Sequence, residues 1–205
     1  GPCLAILFRS FDCLRPTGQG ESFAGIRIKL RAKIRDLFSR GITSVAEVIP
    51  FNGVLYNVSN PHITSGRDVL SPPYDIVGPE LQEELYGRSP YNIVRVDFGK
   101  TTGSDNAEDN KYRRARGYLD KWLSEDILLP SGKPCFYSYE ICYKIEGREK
   151  RLRGFVGLVK LEELGKGNIH PHECTHSKPK QDRLDLMRTC EANISPIFSL
   201  YSSRD

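Results

Sequence analysis

Paired-cysteine motifs are missing from this chain. Its six cysteines, Cys3, Cys13, Cys135, Cys142, Cys174 and Cys190, include no C-x-x-C pair and no zinc-finger spacing. Without a secretory signal, the expectation is free thiols in a reducing compartment rather than a disulfide framework. No apolar run approaches the roughly 20 residues needed to span a bilayer. The longest, Cys3 to Phe8, is too short even for a signal-peptide core, so the expected location is the cytoplasm. Phosphate loops of the G-x-G-x-x-G or Walker type and internal repeats are absent as well.

A strong charge of one sign is also lacking. The formal net charge is +4 over 205 residues, and it is unevenly spread. Residues 1 to 44 carry eight basic groups against three acids, so the remaining 161 residues sum to −1. DNA is therefore an unexpected ligand for the main domain, because phosphate neutralisation needs clustered cations. The composition, 39% apolar and 27% charged, is that of an ordinary globular protein.

What the chain does have is one dense stretch of reactive groups. Three of its four histidines lie between Ile169 and Arg188, in the run Ile169-His170-Pro171-His172-Glu173-Cys174-Thr175-His176-Ser177-Lys178-Pro179-Lys180-Gln181-Asp182-Arg183-Leu184. A carboxylate, a thiol, hydroxyls and cations sit beside them, and prolines oppose regular helix locally.

Along the chain, residue 1 is glycine rather than methionine, which suggests a processed, engineered or fragmentary sequence. Residues 24 to 39 place Ile26, Leu30, Ile34, Leu37 and Phe38 at helical spacing among arginines, predicting a basic amphipathic helix. Its functional readings are a membrane-surface or targeting segment; the prior favours a surface helix or sequence outside the natural domain. The expected division is a basic extension over 1–44 and a domain over 45–205.

Val48 to Phe51 and Val54 to Tyr56 read as extended runs around the turn dipeptide Asn52-Gly53. Ser71-Pro72-Pro73-Tyr74-Asp75 forces a rigid path from which Tyr74 and Asp75 could line a cleft. A helix is expected from Pro79 to Arg88, with proline at its first position. Tyr91 to Phe98 reads as a strand. Residues 101 to 110 read as an exposed loop, followed by an amphipathic helix over Tyr112–Leu123.

The runs Pro134–Ile145 and Lys150–Leu161, joined by Glu146-Gly147-Arg148-Glu149, predict a hairpin. Asp182–Arg188 reads as a helix burying Leu184 and Met187, and Ile194–Tyr201 as a final strand. The class indicated is α+β, a mixed or antiparallel sheet with flanking helices.

Two chemistries compete for the histidine stretch. His170, His172, Cys174 and His176 would share one face of a strand, but at roughly 3.3 Å per residue they spread over about 20 Å, too far to converge on one metal ion. No metal site is therefore expected. The other is acid/base work by His172-Glu173. A carboxylate beside an imidazole can take a proton from a substrate hydroxyl while Lys178, Lys180 and Arg183 hold a phosphate. On composition alone, a solvated charged loop would be the preferred reading.

A resemblance alters that weighting. The segments Ile49-Pro50-Phe51-Asn52-Gly53, Ser71 to Asp75, Ser89-Pro90-Tyr91-Asn92-Ile93-Val94-Arg95, Gly154 to Leu158, Pro171 to Thr175, Ser177 to Lys180 with Asp182-Arg183-Leu184, and Asn193 to Phe198 resemble, in order, the amino-terminal half of the domain-of-unknown-function family 1015. Members of that family are about twice this long and carry a later Asp-Gly-His-His-Arg segment. Pro-His-Glu followed by that segment is similar to the free-serine kinases of the ParB/sulfiredoxin-like superfamily.

The resemblance implies a ParB/sulfiredoxin-like fold, incomplete at its C-terminus. It implies ATP or ADP with magnesium, a small-molecule substrate such as serine, Glu173 as catalytic base and His172 beside it. Thr175, Tyr74 and Asp75 are then expected near the cleft, and Lys178, Lys180 and Arg183 near the phosphates. Cys174, His176 and His170 depart from the family's residue types, which lowers the metal reading further. With the later segment missing, the 205-residue chain alone is expected to show little or no turnover. The alternative expectation is a nucleotide-responsive binding or regulatory module of ParB-like type without catalysis.

Overall fold

The computed structural model describes residues 4–7, 25–31, 46–163, 166–170 and 177–201. Within them lie strands β1 (Leu4–Leu7), β2 (Gly25–Arg31), β3 (Val48–Ile49), β4 (Val54–Tyr56), β5 (Leu128–Pro130), β6 (Phe136–Ile145), β7 (Arg148–Val156), β8 (Leu158–Val159) and β9 (Ala192–Asn193). Helices are α1 (Gly66–Val69), α2 (Pro79–Arg88), α3 (Val94–Asp97), α4 (Lys111–Ser124) and α5 (Ser177–Cys190), with a 3-10 turn over Tyr74–Ile76.

The strands form three sheets, ordered β5-β4-β1-β9, β2-β6-β7 and β3-β8. β1 runs parallel to β4 and β9, whereas the other pairs are antiparallel. The architecture is thus α+β with small mixed and antiparallel sheets. No helix of the described residues is long and apolar enough to cross a membrane.

The main core lies between the four-stranded sheet and helices α3, α4 and α5. Trp122, Leu119 and Ala115 on one face of α4 meet Tyr56 and Leu128 from the strands, all at most 2% exposed. The i, i+4, i+7 spacing that predicts this helix is the spacing that buries it. Asn110 caps it: its side-chain oxygen accepts from the backbone N–H groups of Tyr112 and Arg113, both at 3.1 Å, satisfying donors that a helix start otherwise leaves open.

A smaller core joins Phe51, Leu55, Cys135 and Tyr137. The Tyr137 hydroxyl accepts from the Gly53 N–H at 2.7 Å and donates to the Phe51 carbonyl at 3.2 Å, so burial leaves it paired.

The structure corrects several expectations. Residues 25–31 form a strand, not the first turns of a basic helix, and pair with β6 from Gly25↔Cys142 to Arg31↔Phe136. Ile26, Ile28 and Leu30 alternate strictly with Arg27, Lys29 and Arg31, and period two fits a half-buried strand better than the looser helical match. Residues 32–39 lie outside those described.

The runs around Asn52-Gly53 are extended, as expected, but pair elsewhere: β3 with β8, β4 with β1 and β5. Tyr91–Phe98 is a turn leading into α3 rather than a strand. Buried Asn92 enforces it, donating to the carbonyls of Asp68 and Leu70 at 2.8 and 2.9 Å while its oxygen accepts from the Val94 N–H. A local side-chain bond of this kind substitutes for a ladder.

The β6–β7 hairpin forms, but its turn is two residues rather than the four expected, with Glu146 and Gly147 at φ 50° and 75°, the positive-φ geometry that matches strand twist. Gly157, just after β7, is required sterically: a Cβ there would lie 2.9 Å from Phe136 and 3.0 Å from Val48.

The last helix is longer than expected, Ser177 to Cys190, and its buried residues are Leu186 and Cys190 rather than Leu184 and Met187. Residues 194 to 201 carry no strand; only Ala192–Asn193 pairs, with β1. Ile197 and Leu200 are 92% and 82% exposed, so the alternation there finds no neighbour to pair with among the described residues.

Candidate functional site

A network of ion pairs gathers where α3, α4, α5 and the segment after β9 meet. Asp97 ends α3 and Asp182 lies in the first half of α5, with Arg183 between their carboxylates. Arg183 Nη1 donates to the Asp97 carbonyl and to Oδ1, each at 2.9 Å. Its Nε and Nη2 both donate to Asp182 Oδ2, at 3.0 and 2.5 Å. On the other oxygen, Asp182 Oδ1 accepts from Lys111 Nζ and from the Tyr112 hydroxyl at 2.9 Å. Ser195 Oγ donates to Asp97 Oδ1 at 2.6 Å. The Tyr74 ring packs under the Arg183 guanidinium, 4.1 Å from ring centre to Cζ, a cation–π arrangement.

The ionic side chains are largely removed from water: Asp97 is 13% exposed, Arg183 18%, Asp182 and Lys111 20%. Charge there is tolerated only because it is paired. Burial raises the Asp97 pKa above the usual carboxylate value, outweighing the Ser195 hydrogen bond and the Arg183 charge. Burial also pushes Asp182 up, but the bonds from Lys111, Arg183 and Tyr112 outweigh it and leave its pKa lowered. Tyr112 is pushed up to about 12 by burial and by its bond to the Asp182 carboxylate, so it remains a donor.

The two carboxylates should therefore titrate stability in opposite senses. Asp182 stabilises above the unfolded value near 3.9, and that contribution is lost as pH falls through its lower folded pKa. Asp97 binds its proton more tightly when folded, so its contribution is complete below about pH 4 and is lost as pH rises through its folded pKa. As pH rises above about 4, the stability of Asp97→Asn relative to wild type should increase, while Asp182→Asn should stay less stable than wild type by a constant margin that closes only as pH falls below about 4. Unfolding free energies measured from about pH 2 to 7 check both trends; an Asp97→Asn curve parallel to wild type above about pH 4, or an Asp182→Asn deficit that persists at about pH 2, would refute the assignment.

The residues expected in the site are distributed as follows. Glu173, His172 and Thr175 lie outside the described residues. Lys178 falls in the first turn of α5, and Lys180, in the same stretch, is exposed. Arg183 has all three of its guanidinium nitrogens engaged by Asp97 and Asp182; it ties elements together and has little left for a phosphate. Tyr74 packs against the Arg183 guanidinium, whereas Asp75 next to it is exposed.

Asp97, Asp182, Ser195, Lys111 and Tyr112 were not singled out from sequence. Asp182 and Ser195 stand inside the motif segments quoted above, and Asp97 two residues after one of them. Nothing in the local pattern of Lys111-Tyr112 marks them.

Beside the network is a shallow recess lined by Phe98, Gly99, Lys111, Tyr112, Arg183 and Leu186, about 170 Å³ including its open mouth. Among the described residues that is below the range of small-molecule pockets, roughly 300–1,000 Å³. Among the described residues, no group of three or more His, Cys, Asp or Glu could hold a metal ion.

Fold and site together define an α+β domain in which motif segments far apart in sequence converge on one half-buried ionic cluster. The chain belongs to the DUF1015 family of proteins of unknown function, whose model matches residues 48–205. No curated protein and no solved structure matches it.

Proposed function

We propose that this chain supplies the base-bearing part of a cytoplasmic phosphotransferase of ParB/sulfiredoxin-like fold, acting on a small hydroxylated metabolite such as free serine. In this reading Glu173 takes the proton from the substrate hydroxyl as its oxygen attacks the terminal phosphorus of ATP or ADP. The bond from that phosphorus to the bridging oxygen breaks, and the shortened nucleotide leaves with the electron pair. His172 flanks the base, while Lys178 and Lys180 draw the phosphate oxygens.

Magnesium would accompany the nucleotide's phosphates, neutralising their charge. The carboxylates of the described cluster are engaged by Arg183 and Lys111, so neither is assigned to the ion and no step is routed through it.

The observation that carries the reading is the convergence of the family's segments on α5. This helix begins at Ser177, four residues after Glu173; its Arg183 is held by Tyr74 and Asp97, and Ser195 in turn donates to Asp97. Such bracing is what a positioned base requires.

Incubating the natural full-length protein with ATP or ADP, magnesium and a panel of hydroxylated metabolites should yield a phosphomonoester of at least one. A parallel salt titration of DNA binding should show no steep dependence, since the 161 residues after the basic segment sum to −1. No phosphorylated product, together with nucleotide-dependent binding of another partner, would favour a regulatory module instead.

A further inference from the structure

The two faces of the β2-β6-β7 sheet carry different chemistry. Residues paired across antiparallel strands share a face, so the register sorts the sheet into an inner and an outer set. The inner set includes Tyr137, Tyr139 and Val156, which pack in the smaller core. The outer set places Arg27, Lys29 and Arg31 of β2 at the positions opposite Glu140, Ser138 and Phe136, with Lys144, Arg151 and Arg153 further along. Against these six cations stand two carboxylates, Glu140 and Glu149. Both are shared: Arg153 Nε donates to Glu140 at 2.7 Å, and Arg151 lies 4.0 Å from Glu140 and 3.5 Å from Glu149. The Arg153 and Arg151 side chains still stand 72% and 53% exposed.

An apolar strip adjoins these cations. The Phe155 ring, on the same outer face, meets those of Phe136 and Tyr201 at centroid distances of 5.5 and 5.9 Å, yet 40% of Phe155 and 68% of Tyr201 face solvent. Phe136 and Val48 flank Gly157 together, and the partner of Val48 in β8, Val159, is exposed. The segment leading to Tyr201 exposes Ile197, Phe198 and Leu200 as well. Beyond Val159 the charges balance, Lys160 pairing with Glu47 at 3.1 Å. A face built only for solubility would mix its charges and expose no such run of large apolar residues.

The geometry points to the outer face of this sheet, with the segment ending at Tyr201, as a docking surface for an anionic lipid bilayer. Phe155, Tyr201 and the aliphatic residues beside them enter the headgroup boundary, and the arginines and lysines meet the lipid anions, the two contributions by which peripheral surfaces bind membranes. Aromatic rings are suited to that depth. The combination of groups selects the occupant. A second copy of the chain would set two cationic faces against each other. A single-stranded nucleic acid would use the rings and the cations but leave Ile197, Leu200 and Val159 in water. A bilayer takes up both kinds of group. This surface is independent of the role proposed for Glu173.

The test is co-flotation of the natural full-length protein with vesicles of phosphatidylcholine, alone or with roughly one-third phosphatidylserine, at about 0.1 M salt. Partition into the anionic vesicles should be stronger by about tenfold or more, and the preference should shrink at about 0.5 M salt, where screening is shorter. Arg151→Gln/Arg153→Gln should lower the partition coefficient by about tenfold or more, since each basic residue at such a surface is worth about fivefold. Tyr201→Ser should lower it about fivefold through lost apolar burial, with the urea midpoint unchanged because the side chain is exposed. Tyr201→Trp reports position: its emission should move to shorter wavelength on adding anionic vesicles, whereas the wild type, whose single Trp122 is buried, should not respond.

Equal partition into the two kinds of vesicle, wild-type partition in Arg151→Gln/Arg153→Gln, or unchanged emission from membrane-bound Tyr201→Trp would overturn the proposal. Preference for an oligouridylate over the vesicles would overturn it in favour of nucleic acid. Self-association that Tyr201→Ser abolishes, without vesicle binding, would overturn it in favour of a second copy.

Discussion

Replacing Trp122 with alanine should destabilise the domain by about 4 kcal/mol, within the range for truncating a buried aromatic. Trp122 is the largest fully buried side chain, 1% exposed. Its ring meets those of Tyr118, Tyr91 and Tyr56 at centroid distances of 5.8, 6.2 and 6.3 Å. These neighbours come from α4 itself, the turn before α3, and β4, so one cavity would loosen three elements at once. Tyr56 cannot simply move to fill it, because its hydroxyl donates to the Tyr91 carbonyl at 2.6 Å.

A domain stable by about 5–15 kcal/mol would lose a large share of its margin. Trp122→Phe, which keeps ring contact, should cost about half as much under the same dependence on cavity size. Urea unfolding of the three proteins measures this, and a loss below about 1 kcal/mol for the alanine variant would show that the core is not centred on Trp122.

Arg183→Met should cost on the order of 3 kcal/mol, the penalty for breaking a buried pair and not for losing a surface one. With the guanidinium gone, the Asp97 and Asp182 carboxylates, 13% and 20% exposed, face each other without the charge between them. Asp97 is the more affected, since burial already raises its pKa, and it should take up a proton at a higher pH than in the wild type.

The double variant Arg183→Met/Asp97→Asn should therefore be less destabilised than the sum of its parts, with a coupling of about 1 kcal/mol or more. Strict additivity in denaturant unfolding would mean that the two side chains do not act as a pair. Lys111 keeps Asp182 partly compensated in both variants, which is why the effect is placed nearer 3 than 5 kcal/mol.

Elements whose signal is local were legible in the sequence. α2 carries proline at its first position and α4 an apolar stripe at helical spacing, and both form as read. The β6–β7 hairpin likewise follows from strand-forming runs about Gly147. What escaped was set by distant partners. Asn92 turns a strand-like run into α3 because it finds the carbonyls of Asp68 and Leu70, 24 and 22 residues away.

The alternation of residues 194–201 meets no pairing neighbour among the described residues, and the two runs around Asn52-Gly53 pair with other strands. At the site, Tyr74 and Arg183 were marked by their motifs, and the structure brings them into contact. Asp97 was invisible: a carboxylate near the end of an apolar run reads as a strand terminus until Arg183, 86 residues on, is found across from it.

The most direct test of the account is phosphoryl transfer by the natural full-length protein with Glu173 replaced by glutamine. The base role proposed for Glu173 predicts a loss of turnover of about 10²- to 10⁴-fold, the usual contribution of a general base, with nucleotide affinity measured by calorimetry within about threefold of wild type. Glutamine keeps the shape and one acceptor oxygen but cannot take the proton. Turnover equal to wild type in Glu173→Gln would contradict the account.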